Sequence, residues 1–252
     1  MKSRLIVVVS LLVMLMMACS LTGNAAGNPA DKGLQGHDPV PVSLNDGLAS
    51  LNSYQMTVVF SFVGPDPTQS SKTTIQRQRS TEPNASLTSI NTAVIGKGGG
   101  DPSISDSSIY QIGNDQCSGS KKNGWSWISS TPAEAEMEGL IASMIGLTPL
   151  IDHPSFVASE AVNGIPANHF RFQVSGLGAS SGAVVNINQG DYWLAVDGQY
   201  IVKYTLIVET SMAADTEVLH EEISIEVNQI NQTVSIAFPQ GCLDASQVTP
   251  TP

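Results

Sequence analysis

Basic residues are scarce in this chain: 11 lysines and arginines stand against 22 aspartates and glutamates, for a formal net charge of −11. So acidic a chain lacks the electrostatic footprint of a nucleic-acid binder and offers little attraction to anionic lipid headgroups. Cysteines are few, three in 252 residues, and none has the close spacing of a zinc site. The four histidines, His37, His153, His169 and His220, lie far apart, and none falls in an H-x-x-x-H pair. No cofactor and no metal are therefore expected. The chain has no internal repeat, and no apolar run reaches the about 20 residues that a spanning helix needs.

The apolar run that is present, Leu5 to Ala18, is broken only by Ser10 and follows Lys2 and Arg4. That is the charged-then-apolar order of a secretory signal. It ends Leu15-Met16-Met17-Ala18-Cys19-Ser20, which resembles the lipobox of bacterial lipoproteins. The resemblance implies cleavage before Cys19 and acylation of its sulfur; an ordinary secretory signal with an incidental cysteine is the alternative. Loss of residues 1–18 removes two bases and no acid, leaving 9 − 22 = −13. Attachment to a membrane would then rest on the acyl chains, each buried methylene adding about 0.8 kcal/mol. With Cys19 so used, Cys117 and Cys242 remain as an even pair in an oxidising compartment. They read as a disulfide, stabilising by about 3–5 kcal/mol through its long loop, or as two buried thiols.

Residues 19–43 are rich in Gly, Pro, Asn and Asp and read as a flexible tether, and 244–252 as a frayed tail. The intervening 44–243 show no break in composition and suit one β-rich domain. Period-two alternation dominates there. Apolar faces are set by Tyr54, Met56, Val58, Phe60 and Phe62; by Phe170, Phe172 and Val174; by Tyr192, Leu194 and Val196; and by Tyr200, Val202, Tyr204, Leu206 and Val208. Leu219, Ile223, Ile225 and Val227 form another face, and Val234, Ile236 and Phe238 a last strand. Such one-sided strands are antiparallel. Asp197-Gly198 is a strong hairpin signal, and Asn188-Gln189-Gly190 a weaker one. Helical spacing appears twice. Leu44, Leu48 and Leu51 follow Ser43 as a possible cap, and Thr131-Pro132 opens a stretch with Met137, Leu140, Ile141, Met144 and Ile145 on one side.

An acylated cysteine, a polar tether, a short helix ending in LNSY, a meander with SIYQIGNDQCSGSKKNGWSW, a middle helix, then VNGIPANHFRFQV, DYWLAVDGQYIVKYTLIVE and FPQGC together resemble the LolA-like and LppX/LprG-like class of bacterial envelope lipoproteins. The resemblance rests on Trp193, Gly198 and Lys203, and on Tyr110, Gly113, Gly124 and Trp125. It implies an α+β, mostly β fold: one strongly curved antiparallel sheet, a half-barrel covered by two or three helices. It further implies a cavity for lipid acyl chains, and fits a Cys117–Cys242 bridge pinning the last strand to a middle one. Candidate lining residues are Met56, Val58, Phe60, Phe62, Met137, Leu140, Ile141, Met144, Phe170, Phe172, Tyr204 and Leu206. The methionines suit an adaptable wall; the alternative is that all these residues form a solid core.

Several motifs suggest other chemistry. Gly178-Ala179-Ser180-Ser181-Gly182 matches a G-x-S-x-G elbow, and Asp191, Asp197, Asp215 and His220 follow in hydrolase order. The elbow needs a helix after it, and VVNIN is strand-like, so a Ser180 esterase is the weaker reading. GKGGGD at 96–101 lacks the Lys-Ser/Thr end of a phosphate loop and reads as a hairpin tip. His220, Glu222, Ser224 and Glu226 share a polar strand face. Trp125 and Trp127 share one side of an extended segment, suited to packing at a sheet edge or cavity mouth. The chain is thus expected to be a monomeric, non-enzymatic lipoprotein, exported and lipid-anchored at the outer face of a bacterial membrane. It would bind an apolar ligand, with a solid-core scaffold lipoprotein as the alternative.

Overall fold

Alternating aromatic and β-branched residues favour extended backbone, and in the computed structural model the described residues are accordingly mostly strand. It describes residues 47–66, 68–96, 98–128, 151–174, 183–212 and 218–246. Their strands are β1 (Ser53–Val63), β2 (Ser70–Thr81), β3 (Asn84–Ile95), β4 (Ser103–Ile112), β5 (Asp115–Ser120), β6 (Gly124–Ile128), β7 (Ile151–Val162), β8 (Ile165–Val174), β9 (Ala183–Ala195), β10 (Ile201–Met212) and β11 (Val218–Asn228). One helix, α1 (Gln240–Ser246), follows. The strands form a single sheet in the order β6-β5-β4-β3-β2-β1-β11-β10-β9-β8-β7, antiparallel throughout and not closed. Two meanders, β1–β6 and β7–β11, therefore meet where β1 pairs with β11.

Directly opposed residues in antiparallel strands point to the same face, so the registers define rows across the sheet. One row runs Ile75, Val58, Ile225, Tyr204, Tyr192, Phe170, Phe156 over seven strands. The next runs Thr73, Phe60, Ile223, Leu206, Gly190, Phe172. Nearly every buried apolar residue of these rows belongs to one core cluster. Tyr192 stacks on Phe170 with centroids 5.0 Å apart, and Phe172 tilts against Tyr204 at 5.3 Å. On β2–β4 the same face changes character to Arg77, Thr88, Thr92, Ser105 and Ser107. Four register shifts, all in β7–β10, supply the local bends that bulges produce.

The single large antiparallel sheet matches the sequence reading, as does the hairpin at Asp197-Gly198, with Gly198 at φ 86° between β9 and β10. Four details differ. Asn188-Gln189-Gly190 is not a hairpin but the middle of β9: a Cβ on Gly190 would lie 2.1 Å from the Phe172 ring, so the glycine clears space for packing. Val196 is exposed, because β9 ends at Ala195 and the turn begins there. Of the early helix, residues 47 and 48 are helical and 49–50 form a turn, the stretch before them lying outside the described residues; it has ended by Asn52, whose backbone is bonded to Thr81 and Asn231. Val234, Ile236 and Phe238 belong to no strand. They are half-buried, alternate positions of an extended segment without a ladder partner. Cys117 and Cys242 do bond, but they tie β5 to α1 rather than to a last strand. The expected middle helix, with Met137, Leu140, Ile141 and Met144, lies outside the described residues, as do Cys19 and the tether. α1 runs three residues into the stretch expected as a tail.

The face opposite the core carries a second apolar cluster at the β6 edge. Trp125 meets Tyr110 edge-on at 5.7 Å, and Trp127 meets Phe238 at 4.8 Å while its Nε1 donates to the Cys242 carbonyl at 2.7 Å. Both tryptophans thus pack at a sheet edge, as their spacing suggested. The chain reaches this face after Asn231 N donates to the Ser53 carbonyl at 2.9 Å, past the start of β1.

Gly190→Ala is expected to lower stability by about 1–3 kcal/mol in urea unfolding, because the new methyl overlaps the Phe172 ring. Replacing Cys117 and Cys242 with serine should cost about 2–5 kcal/mol and expose residues 229–246 to limited proteolysis before the sheet unfolds.

Candidate functional site

The apolar face has two unlike ends. At one end the strands are joined by two-residue connections, 82–83, 113–114 and 163–164, and by the turn at 196–200. At the other, β1 and β2 are joined by 64–69 and β3 and β4 by 96–102, both longer. From outside the strands, the core cluster receives Leu48, Leu51, Tyr200 and Ile230, all at the tight-turn end. Gly47 lets this plug approach: a Cβ there would lie 2.6 Å from that of Tyr200.

Along β1, β10 and β11 burial declines toward the loop end, whereas on β8 Phe172 and Val174 stay buried. Met56, Val202 and Tyr204 are 1%, 0% and 1% exposed, while Phe60, Leu206 and Val208 reach 8%, 6% and 6%. Phe62 and Ile223 are half-buried. The last full row at the loop end reads Ser71, Phe62, Glu221, Val208, Asn188. Besides Ser71 at its β2 end, two polar groups enter an apolar face there. Asn188 spends its amide on the backbone of Val174, accepting from its N–H at 2.9 Å and donating to its carbonyl at 2.6 Å. The side chain thereby replaces the ladder where β8–β9 pairing stops at Phe172–Gly190.

Glu221 has no such satisfaction. Its cross-strand neighbours are Phe62 and Val208, and it forms no hydrogen bond or ion pair among the described residues. Burial pushes its carboxyl above the ordinary glutamate value, because a desolvated carboxylate is disfavoured. Deeper in the face, the Tyr192 hydroxyl is fully buried with no partner among the described residues. Burial raises the Tyr192 and Tyr204 phenols well above their ordinary value.

Of the twelve candidate lining residues, Met56, Val58, Phe60, Phe62, Phe170, Phe172, Tyr204 and Leu206 share this one face. The other four fall outside the described residues. Glu221, Asn188 and Tyr192 were not among the candidates. The first had a signal in the sequence: Leu219, Ile223, Ile225 and Val227 alternate with one member missing, and that member is Glu221.

On the opposite face, polar residues bridge strands. His169 Nε2 lies 2.8 Å from Asp191 Oδ1 and stacks on Trp193 at 4.2 Å, and Arg171 Nε joins the same carboxylate at 3.1 Å. Trp193 Nε1 donates to Glu160 at 2.6 Å, and Lys203 sits 4.9 Å over its ring. The Trp193…Gly198…Lys203 spacing is thus a cation–π pair across a hairpin. His220 pairs with Glu209 at 3.0 Å, so it meets neither Asp191 nor Asp197; Ser180 and Asp215 lie outside the described residues. Among the described residues, no group of three His, Cys, Asp or Glu is placed to hold a metal. A pocket of about 400 Å³ lies over β2–β4, lined chiefly by Thr74, Gln76, Ser89, Asn91, Asp106 and Ser108. These residues alternate with the core-facing ones, so the pocket is a polar depression on the opposite face.

No protein-family model matches the chain, and neither does any curated protein. Among solved structures, the chain is similar to lipoprotein LppX from Mycobacterium tuberculosis, with 12% identity, 77% of this chain and 93% of that chain covered, and a TM-score of 0.40. It is similar to LprF from Mycobacterium bovis with 13% identity, coverage of 78% and 94%, and a TM-score of 0.41. It is also similar to a putative outer membrane lipoprotein-sorting protein domain from Vibrio parahaemolyticus, with 8% identity, coverage of 72% and 87%, and a TM-score of 0.20. These are the kinds of protein that the order of elements resembles.

The raised Glu221 pKa carries a sign. Ionising this carboxyl costs more in the folded chain than in the unfolded one, so the penalty is absent below the unfolded value of about 4.3 and grows as pH rises through the folded value. Glu221→Gln is therefore expected to raise the melting temperature near neutral pH and to leave it unchanged in acid, read by thermal unfolding across pH.

Proposed function

We propose that this chain is an exported envelope lipoprotein, anchored through an acylated Cys19, that binds a hydrophobic ligand on the apolar face of β1 and β8–β11. The sheet would curve as a half-barrel, with the apolar face forming a trough. The trough holds a lipid acyl chain and carries or presents it at the outer face of the membrane, as a monomer and without making or breaking a bond. The observation that carries this reading is the gradient of burial. Rows that are sealed at the plugged end become half-open at Phe62, Ile223 and Glu221, with no described element laid over them. From the Met56 row to the Phe62 row is about 20 Å along the strands, the length scale of an acyl chain. Apolar surface that a ligand covers from the half-open rows inward stabilises bound methylenes at about 25 cal/mol per Å².

A second reading has its own support. Met56, Val58, Phe170, Phe172, Tyr192 and Tyr204 are all but fully buried and packed on one another, as in the solid core of a scaffold lipoprotein.

Native mass spectrometry of the Cys19→Ala chain purified from a lipid-rich host distinguishes the two. A co-purifying acyl ligand is expected, and Phe62→Asp should weaken its rebinding by about tenfold. A chain that arrives empty and takes up no acyl probe would leave the scaffold reading. Cys19→Ala itself should release the protein from membranes on fractionation.

A further inference from the structure

We propose that Glu221 reads the polar head of the ligand, so that the trough accepts amphiphiles whose head donates hydrogen bonds, a hydroxyl or an ammonium, and rejects anionic heads. This rests on the reading of the apolar face as a ligand trough. Four observations on Glu221 support it. It stands in the core-facing row of β11, two residues from Ile223, where the face is half-open rather than sealed. Its cross-strand neighbours are Phe62 on β1 and Val208 on β10, and beyond them stand Ser71 on β2 and Asn188 on β9. None of these is charged, and Asn188 is already committed to Val174. On its own strand, His220 and Glu222 alternate to the opposite face.

The inward-facing bases, Arg77 and Arg79 on β2, stand in the Met56 and Tyr54 rows, about 20 Å away at the plugged end. Among the described residues the carboxyl therefore has no donor, and its surround is apolar. A half-buried acceptor in such a surround is poorly satisfied, and a ligand hydroxyl or ammonium supplies a donor that the described residues do not. A sulfonate or phosphate head in the same place would set like charges together in a poorly hydrated site. The chain's net charge of −11 acts in the same direction at longer range. Because burial holds the Glu221 carboxyl toward its neutral form, the rejection of anions should weaken as pH falls.

The test measures displacement of an uncharged fluorescent acyl probe from the Cys19→Ala chain by three molecules with the same sixteen-carbon tail: monopalmitoyl glycerol, hexadecylamine and hexadecanesulfonate. Near neutral pH the glycerol ester and the amine should bind about tenfold tighter than the sulfonate. That gap should close in Glu221→Gln, and also in the unmodified site near pH 4, an arm that does not depend on any variant folding. Equal binding of all three heads, unchanged in Glu221→Gln, overturns the role of Glu221 and leaves the trough standing. Failure of the acyl probe itself to bind overturns both.

Discussion

The ladder between β1 and β11 is the constraint on which the rest depends. It joins residues 53–63 to residues 218–228, the two ends of the sheet-forming chain, and it alone couples the β1–β6 meander to the β7–β11 meander within the sheet. Every other pairing is between strands consecutive in sequence. Only this one places Met56, Val58 and Phe60 beside Val227, Ile225 and Ile223, and so turns two half-faces into one apolar surface. Its closure spans most of the chain, and long closures cost more configurational entropy. The rows it completes must bury enough apolar area to offset that cost. The disulfide and the Trp127–Phe238 contact act on the other meander, holding residues after β11 against the face opposite the core.

The sheet is asymmetric in what it needs. From β1 to β8 through β11, the core-facing rows are aromatic and aliphatic; across β2–β4 the same face is largely hydroxyl-bearing. An apolar surface demands cover, while a surface of serines and threonines can stay wet. The plug of Leu48, Leu51 and Tyr200 supplies cover at the tight-turn end, where short connections hold the strands close. Toward the loop end the register shifts at Glu209/Thr210 and Asp152/Ser155 and the Asn188 bond to Val174 fall where pairing loosens, beside Glu221, which has no partner among the described residues.

Much of this was legible in the sequence where hydropathy alternates. The faces of β1, β8, β10 and β11 follow from the period-two spacing of Phe, Tyr, Val and Ile. Strands β2–β4 gave no such signal, because Ser, Thr and Gln occupy both of their faces. Alternation also misled. Val234, Ile236 and Phe238 alternate because an extended chain lies on a surface, and period two reports a half-buried extended segment whether or not it has a ladder partner. Gly190 looked like turn punctuation because a glycine's need for space cannot be told from its need for conformational freedom until Phe172 is placed beside it. Glu221 was visible as a gap in an alternation, but its meaning required knowing that Phe62 and Val208 flank it.

By itself the sequence determined the antiparallel, mostly β character of the chain and which residues of β1, β8, β10 and β11 are core-facing. These are local properties, set by alternation, charge and spacing over ten residues or fewer. The tertiary structure decided strand order, the pairing of β1 with β11, the partner element of Cys242 and the one-sided opening at Glu221. Those depend on contacts between residues more than a hundred positions apart, and no local pattern records which distant row a strand will meet.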